Sequence, residues 1–396
     1  MSAQPSPGRP ALSRSFWRDE RFLKVATQVL VVVIIAGFAF LLARNMVASL
    51  RKQGIALGFN FLSDSAGFDI GEMLITYTNT DTFGRALQVG LLNTLVICAV
   101  GVLLATVLGI LVGLARLSEN FLVNRMARLF VEAMRNVPLL VLLIFIYSAF
   151  FLKLPRVRQA IELPGPIFLS NRGVSMPWGI PTASARLYLL MLMLAVVGAI
   201  VTALMVRQRS RRLDRPQPVF SLSLLAFVVI AVLGWFVMPQ SPLRLDLPAV
   251  QGLNFSGGRV FTPEFLALLL GLVIYTAAFI GEIVRAGIQA VSKGQREAAS
   301  ALGLTGNQIL RLIIFPQALR VIIPPLTSQY LNLIKNSTLG VAIGYPDLFA
   351  ISGTVINQTG RAVEMIAIIM GLYLAASLLT AAAMNWYNQR VRLVER

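Results

Sequence analysis

The chain has 396 residues, 57% of them hydrophobic and only 13% charged, with 35 Lys and Arg against 17 Asp and Glu for a net charge of +18. It contains no histidine and one cysteine, which excludes His-based acid–base chemistry, His metal ligation, an internal disulfide framework and a Cys-rich zinc site. Long apolar runs with so few charges argue against a disordered basic tail or a nucleic-acid binder, and point to an all-α polytopic membrane protein.

A helix needs about 20 apolar residues to cross a bilayer. A basic head at residues 1–24, with Arg9, Arg14, Arg18, Arg21 and Lys24, precedes the first such run, Val25–Ala43. That run exceeds the roughly 7–15 apolar residues of a secretory signal, so it reads as a retained span. Residues 25–88 are then an N-terminal span and an outer loop. Val89–Ala115, Val137–Leu152, Leu187–Val206, Phe220–Met238 and Phe265–Ile283 are spans two to six. The seventh lies in Val321–Ile343 and is expected to be irregular, because Pro324, Pro325 and Lys335 fall inside it. Val363–Met384 is the eighth. With the N-terminus inside, the head and segments 116–136, 207–219, 282–320 and 385–396 carry most of the Lys and Arg. That is the sign expected of cytoplasmic segments, and it puts both termini in the cytoplasm. The tightest cluster, Arg207, Arg209, Arg211, Arg212 and Arg215, reads as a topology anchor or an anionic-lipid contact.

The most informative stretch is 292–316, between spans six and seven. Ser292-x-x-Gln295 and Thr305-x-x-Gln308 are two capping-box patterns, and Gly303 between them suits a left-handed helix end. Ile309, Leu312, Ile313 and Pro316 fall near one face of the second helix. Two short helices meeting at a glycine form a compact exposed element, suited to docking on a partner.

These residues carry a resemblance. Glu297-Ala298-Ala299, Gly303 and Ile313-x-Phe315-Pro316 are similar, with the same spacing, to the EAA loop of ABC-transporter permeases. The departure is Phe315 where that pattern has Leu. The likeness extends through Gly90-Leu91-Leu92-Asn93-Thr94, Arg135-Asn136-Val137-Pro138, Tyr275–Ile288, Pro316-Gln317-Ala318-Leu319-Arg320 and Asn332–Leu339. It resembles the polar amino-acid (histidine/glutamine-type) branch, and within it the general L-amino acid subgroup.

The resemblance implies a permease domain over 89–390. Its five-span core would be spans two, three, six, seven and eight, with 153–262 an insertion carrying spans four and five as a helical hairpin. It implies an importer for L-amino acids in a bacterial inner membrane. Implied partners are ABC ATPase subunits, a second permease subunit, identical or not, and a periplasmic amino-acid-binding protein; membrane lipid is a further partner. The chain has no G-x-x-x-x-G-K-[ST] phosphate loop, so ATP and Mg belong on the partner and the chain itself is not an enzyme and needs no cofactor. Glu297, Ala298, Ala299, Gly303 and Pro316 would form the ATPase contact. Glu282 and Arg285, at the cytoplasmic end of span six, are gate or interface candidates.

The substrate path is less legible. Lys335, Asn336, Ser337, Thr338, Tyr275 and Asn93 are its candidates, since polar groups inside spans are functional by default. Lys335 can meet an α-carboxylate or snorkel to an interface. The acidic outer loop 44–86, with Asp64, Asp69, Glu72 and Asp81, and the basic loop 153–186, with Arg156, Arg158, Arg172 and Arg186, offer opposite docking patches for a binding protein. Alternatives are the same machine for another polar solute, and an ion-coupled secondary transporter. The latter calls for mid-span carboxylates, which the sequence lacks.

Overall fold

The structure is a computed structural model that describes residues 20–52, 58–213 and 217–391. It divides into two compact units, one ending at Asp64 and one beginning at Ser65. Most of the basic head, and Arg215 of the arginine cluster, lie outside the described residues. The first unit is dominated by α1 (Glu20–Lys52), whose described side chains around Val25–Leu42 are exposed apolar groups suited to lipid.

The second unit begins with an outer segment and α2 (Phe83–Ala115). It continues through α3 (Phe121–Asn136), α4 (Leu139–Phe145, extended by π and 3-10 turns to Lys153), α5 (Ala185–Leu213), α6 (Val219–Val237) and α7 (Pro263–Gln289). Then come α8 (Lys293–Ala301), α9 (Gly306–Gln308), α10 (Phe315–Asn336), α11 (Leu348–Thr359) and α12 (Ala362–Val391). Seven helices are long and apolar enough to cross a membrane among the described residues, or eight if the bent pair 121–136 and 139–153 counts as one span.

α2 and α7 pack most extensively, and their surfaces explain why. Gly109 and Gly113 on α2 face Ile280, Gly281 and Val284 on α7, and Gly281 faces Val112 in return. A Cβ on Gly109 would lie 2.6 Å from Ile280, so small residues here set the distance between the two helices. α10 packs on α7 and α12, and α11 on α2. A continuous core runs through Ile97, Leu143, Leu268, Ile280, Ala318 and Leu333.

Three features differ from the sequence expectations. The inner segment 116–136 is not a plain connection: α3 fills most of it and meets the 139–153 segment, which is span three, at 104°. Val137, ahead of Pro138, is extended (φ −93°, ψ 129°), the conformation that a following proline imposes. Span seven is not broken at Pro324 and Pro325, which lie within a continuous α10. The irregular turns fall on either side, as π backbone at Ile309–Ile314 and 3-10 backbone at Ser337–Ile343.

The third feature is that segment 153–262 carries strands besides its hairpin of α5 and α6. β1 (Ile161–Leu163), β2 (Ile167–Ser170), β3 (Gly173–Met176) and β8 (Arg259–Phe261) form an antiparallel sheet in the order β1-β2-β3-β8. β4 (Trp178–Pro181) pairs with β5 (Leu243–Asp246), and β6 (Ala249–Gln251) with β7 (Asn254–Ser256). Pairing Val174 with Phe261 brings the two ends of the segment together. α5 and α6 then stand on this stalk, packed on each other with no comparable contact to the core helices.

Candidate functional site

The 292–316 element forms at one end of the α2–α7 pair. α8 ends at Leu302, and Gly303 takes φ +76°, the left-handed conformation expected of it. A Cβ there would meet nothing within 4 Å, so glycine serves the backbone and not a tight contact. Gly303 N–H donates to Ser300 O at 2.9 Å and Leu304 N–H to Ala299 O at 3.2 Å, closing the turn. Thr305 N–H donates to Gln308 Oε1 at 2.8 Å, so the second capping box forms.

The first capping box does not form. Ser292 makes no side-chain cap, and Gln295 Oε1 instead accepts from Gln317 Nε2 at 3.5 Å, tying α8 to α10. The expected apolar face is also shifted. Backbone 309–314 is π-helical, and its wider turn rotates Leu312 outward while Ile309 and Ile314 are buried. Ala299 is buried in the same core as Ile309 and Ile314, whereas Glu297, Ala298, Leu302 and Gly303 are exposed. Pro316 follows the π turn inside one helical run that begins at Gly306, so the backbone irregularity falls where the proline removes an N–H. The element is thus anchored by Ala299, Ile309 and Ile314, and α8 with its turn presents Glu297, Ala298, Leu302 and Gly303.

Behind it lies an ion cluster. Glu282 on α7 accepts from Arg116 at the end of α2, and from Arg285 Nε at 3.2 Å. Asn124 Nδ2 donates to Arg116 O at 2.6 Å, which fixes the start of α3 to the same point. Burial, then the nearby Arg285 and Arg128 guanidiniums, push the Arg116 pKa down. The sequence candidates Glu282 and Arg285 are therefore brought together. Arg116 was missed, because a partner 166 positions away leaves no local signal.

The substrate-path candidates are not gathered in one cavity. Lys335 is exposed on the last turn of α10, Asn336 and Thr338 are half-buried, and Ser337 is buried and donates to Ile334 O at 2.8 Å. Tyr275 is half-buried, its ring 5.0 Å from that of Phe279. Asn93 is buried and donates to Glu72 O and Pro346 O, both at 2.9 Å, pinning two loops to α2. A cavity of 330 Å3 between α2, α10 and α12 is walled mainly by apolar side chains, with Thr94, Tyr330, Tyr373 and Thr380 as its polar members. Tyr330 shares a 2.8 Å hydrogen bond with Thr106 across α10 and α2.

At the opposite end, three of the charged loop residues share one cleft, while Arg156, Arg158 and Arg186 are exposed outside it. Asp69, Glu72, Arg172 and Glu264 line a cavity of 830 Å3. Glu72 is buried, and burial raises its pKa although Thr262 and Arg259 act against that. It accepts from Thr262 N–H at 3.4 Å and lies 3.9 Å from Arg259. Glu72 therefore holds the start of α7 and is not available to a docking partner, unlike exposed Asp69.

A family model described as "Binding-protein-dependent transport system inner membrane component" matches residues 105–393. The chain is 42% identical over 383 residues to the General L-amino acid transport system permease protein AapQ of Rhizobium johnstonii, covering 97% of this chain and 96% of that one. It is 45% identical over 377 residues to the Putative amino-acid ABC transporter permease protein YhdX of Escherichia coli, covering 93% and 94%. It is 38% identical over 414 residues to the Glutamate/glutamine/aspartate/asparagine transport system permease protein BztB of Rhodobacter capsulatus, covering 96% of each.

Proposed function

The chain belongs to the family of binding-protein-dependent transport system inner membrane components, as a permease subunit of an amino-acid ABC transporter, and we propose that it carries L-amino acids inward on energy supplied by a separate ATPase subunit. The observation that carries the coupling half of this reading is the 292–316 element. Its exposed Glu297, Ala298 and Gly303 are open to a partner, while Ala299 fixes α8 to the core. Closure of ATPase subunits then displaces α8 as a rigid body, and α7 and α10, which flank it in the chain, move with it.

In this reading the element lies on the cytoplasmic side, with both termini, of a bacterial inner membrane. ATP and Mg sit on the partner. A second permease subunit completes the pathway, and a periplasmic amino-acid-binding protein delivers cargo near the cleft of Asp69 and Arg172. Lys335 has no ion-pair partner among the described residues and is exposed near the end of a span. A cation in that position is costly against lipid, which favours a place on the water-filled path where it meets a substrate carboxylate.

Reconstitution tests the proposal. The chain is assembled with its ATPase, its companion permease and its binding protein in nanodiscs. Amino acid plus binding protein should raise ATP hydrolysis. Uptake by this chain alone on an ion gradient, with no ATPase present, would overturn the reading.

A further inference from the structure

α3 is built differently from every span. Read at 3.6 residues per turn, its apolar residues cover more than half of the circumference. One end of that arc, Ala127 and Val131, is buried, and α3 packs on α7. Phe130 and Met134 are half-buried, and the far side is bare: Leu122 is 66% exposed and Met126 62%, and Leu129 continues the same strip. The remaining edge is polar, with Arg125, Arg128, Glu132 and Arg135. α7 therefore covers only part of what the sequence made apolar.

The 104° bend at Val137–Pro138 turns α3 nearly perpendicular to the 139–153 segment. If that segment runs into the bilayer, α3 lies along its surface. A helix in that plane keeps a polar edge in water and sinks an apolar arc below the headgroups. At its N-terminal end a cavity of 320 Å3 is lined by Ser118, Glu119, Phe121, Asn124, Arg125 and Arg128. Arg128 Nη2 donates to Asn124 Oδ1 at 3.2 Å, while the Arg125 side chain has no hydrogen bond or ion pair among the described residues. Glu119 is the single carboxylate there, and Arg116, bonded through its carbonyl to Asn124, stands next to the cavity. Basic charge is in excess at this end of α3.

We propose that α3 is an interfacial helix seated on the inner leaflet, and that Arg125 and Arg128 hold the phosphate of an anionic phospholipid whose chains cover Leu122, Met126 and Leu129. Asn124 links this site to Arg116, and Arg116 to Glu282, two turns before the end of the helix that leads into α8. The lipid is therefore joined to the coupling element by a short relay, Arg128 to Asn124 to Arg116 to Glu282, and the last two turns of α7. The inner-leaflet assignment rests on the orientation proposed above.

The test uses the assembled transporter with Cys98 replaced by Ser. A nitroxide on Met126→Cys should be relaxed by oxygen in preference to a water-soluble nickel chelate, and one on Glu132→Cys the reverse. Preferential relaxation of Met126→Cys by nickel, or access by neither reagent because another subunit covers it, would overturn the interfacial placement. In native mass spectra the wild type should retain phosphatidylglycerol in preference to phosphatidylcholine. The Arg125→Gln/Arg128→Gln pair should bind it about thirtyfold more weakly, at roughly a factor of five per lost arginine. Equal retention of both lipids, or an undiminished variant, would overturn the headgroup site. An impermeant maleimide reaching Glu132→Cys only from the outer face would overturn the orientation, while the oxygen, nickel and lipid readouts would still report on α3.

Discussion

Arg116 at the end of α2 and Glu282 near the end of α7 form an ion pair that joins the two most closely packed helices, two turns before the chain enters the 292–316 element. Their side chains are only 15% and 25% exposed, so the pair lies between the surface and the buried regimes. Removing one partner should cost about 2 kcal/mol, between the ~0–1 of exposed pairs and the ~3–5 of fully buried ones. A double-mutant cycle of Arg116→Met and Glu282→Gln, read by thermal unfolding in detergent, should give a coupling of about 1 kcal/mol or more. Additive effects would mean that the pair contributes nothing beyond its separate contacts.

Gly303 offers a cleaner probe, because space around it is open and only its backbone is special. At φ +76° an L-residue pays about 1–2 kcal/mol, Asn less, and Pro cannot adopt the conformation at all. Coupling of ATP hydrolysis to uptake should therefore decline in the order Gly, Asn, Ala, Pro, with Gly303→Pro inserted in the membrane but uncoupled. Normal uptake by Gly303→Pro would refute a role for this turn in transmission.

The local structure of 292–316 was legible in sequence because its parts are local: a small-residue helix, a glycine turn and a capping box at Thr305. The spans were legible for the same reason. What escaped depends on distance or on short length. Strands of three or four residues, such as Ile161–Leu163, give too few alternations to stand out beside the long spans. Gln295 was claimed by Gln317, which local pattern cannot anticipate. The sequence placed residues 116–136 in a loop, although Phe121, Leu122, Met126, Leu129 and Val131 have helical spacing, because a basic linker and an amphipathic helix share the same charges.

Asp347 carries a pH dependence. It lies outside the spans, fully buried at the start of α11, where it accepts from Ala350 N–H at 2.8 Å. Burial, only partly opposed by its hydrogen bonds, pushes its pKa up to about 7. The folded chain then holds a proton that the unfolded chain releases near its ordinary value of about 3.9. This contribution to stability is complete below about pH 4 and is lost as pH rises through about 7. Asp347→Asn keeps the capping oxygen but not the titration. The melting temperature of the wild type relative to Asp347→Asn should fall between pH 4 and 7 and level off above. A constant difference across that range would show that Asp347 does not titrate there.

Close packing of α2 on α7 predicts a contrast between two glycines. Gly109→Val would drive a side chain into Ile280, whose Cβ lies 2.6 Å from the ideal Cβ position, and should destabilise by about 1–3 kcal/mol. Gly371 in α12 has nothing within 4 Å, so Gly371→Ala should leave the melting temperature unchanged or slightly raised. Equal tolerance of both substitutions would contradict the tight α2–α7 interface.

Lys335 separates a role on the substrate path from a passive one. Its ammonium stands on the exposed face of α10, while Thr338 hydroxyl donates only to its backbone carbonyl, at 2.8 Å. A direct charge-assisted contact with an α-carboxylate contributes about 1.5–3 kcal/mol, so its loss should cost uptake about tenfold or more. Lys335→Gln should raise the KM for amino-acid uptake by that factor, and Lys335→Arg should recover part of the loss by retaining the charge. A snorkelling lysine would behave differently: Gln and Arg would both leave KM unchanged, since the apolar stem and not the charge would be in use. The size of the Gln–Arg gap therefore distinguishes a cation that meets the substrate from one that only reaches for water.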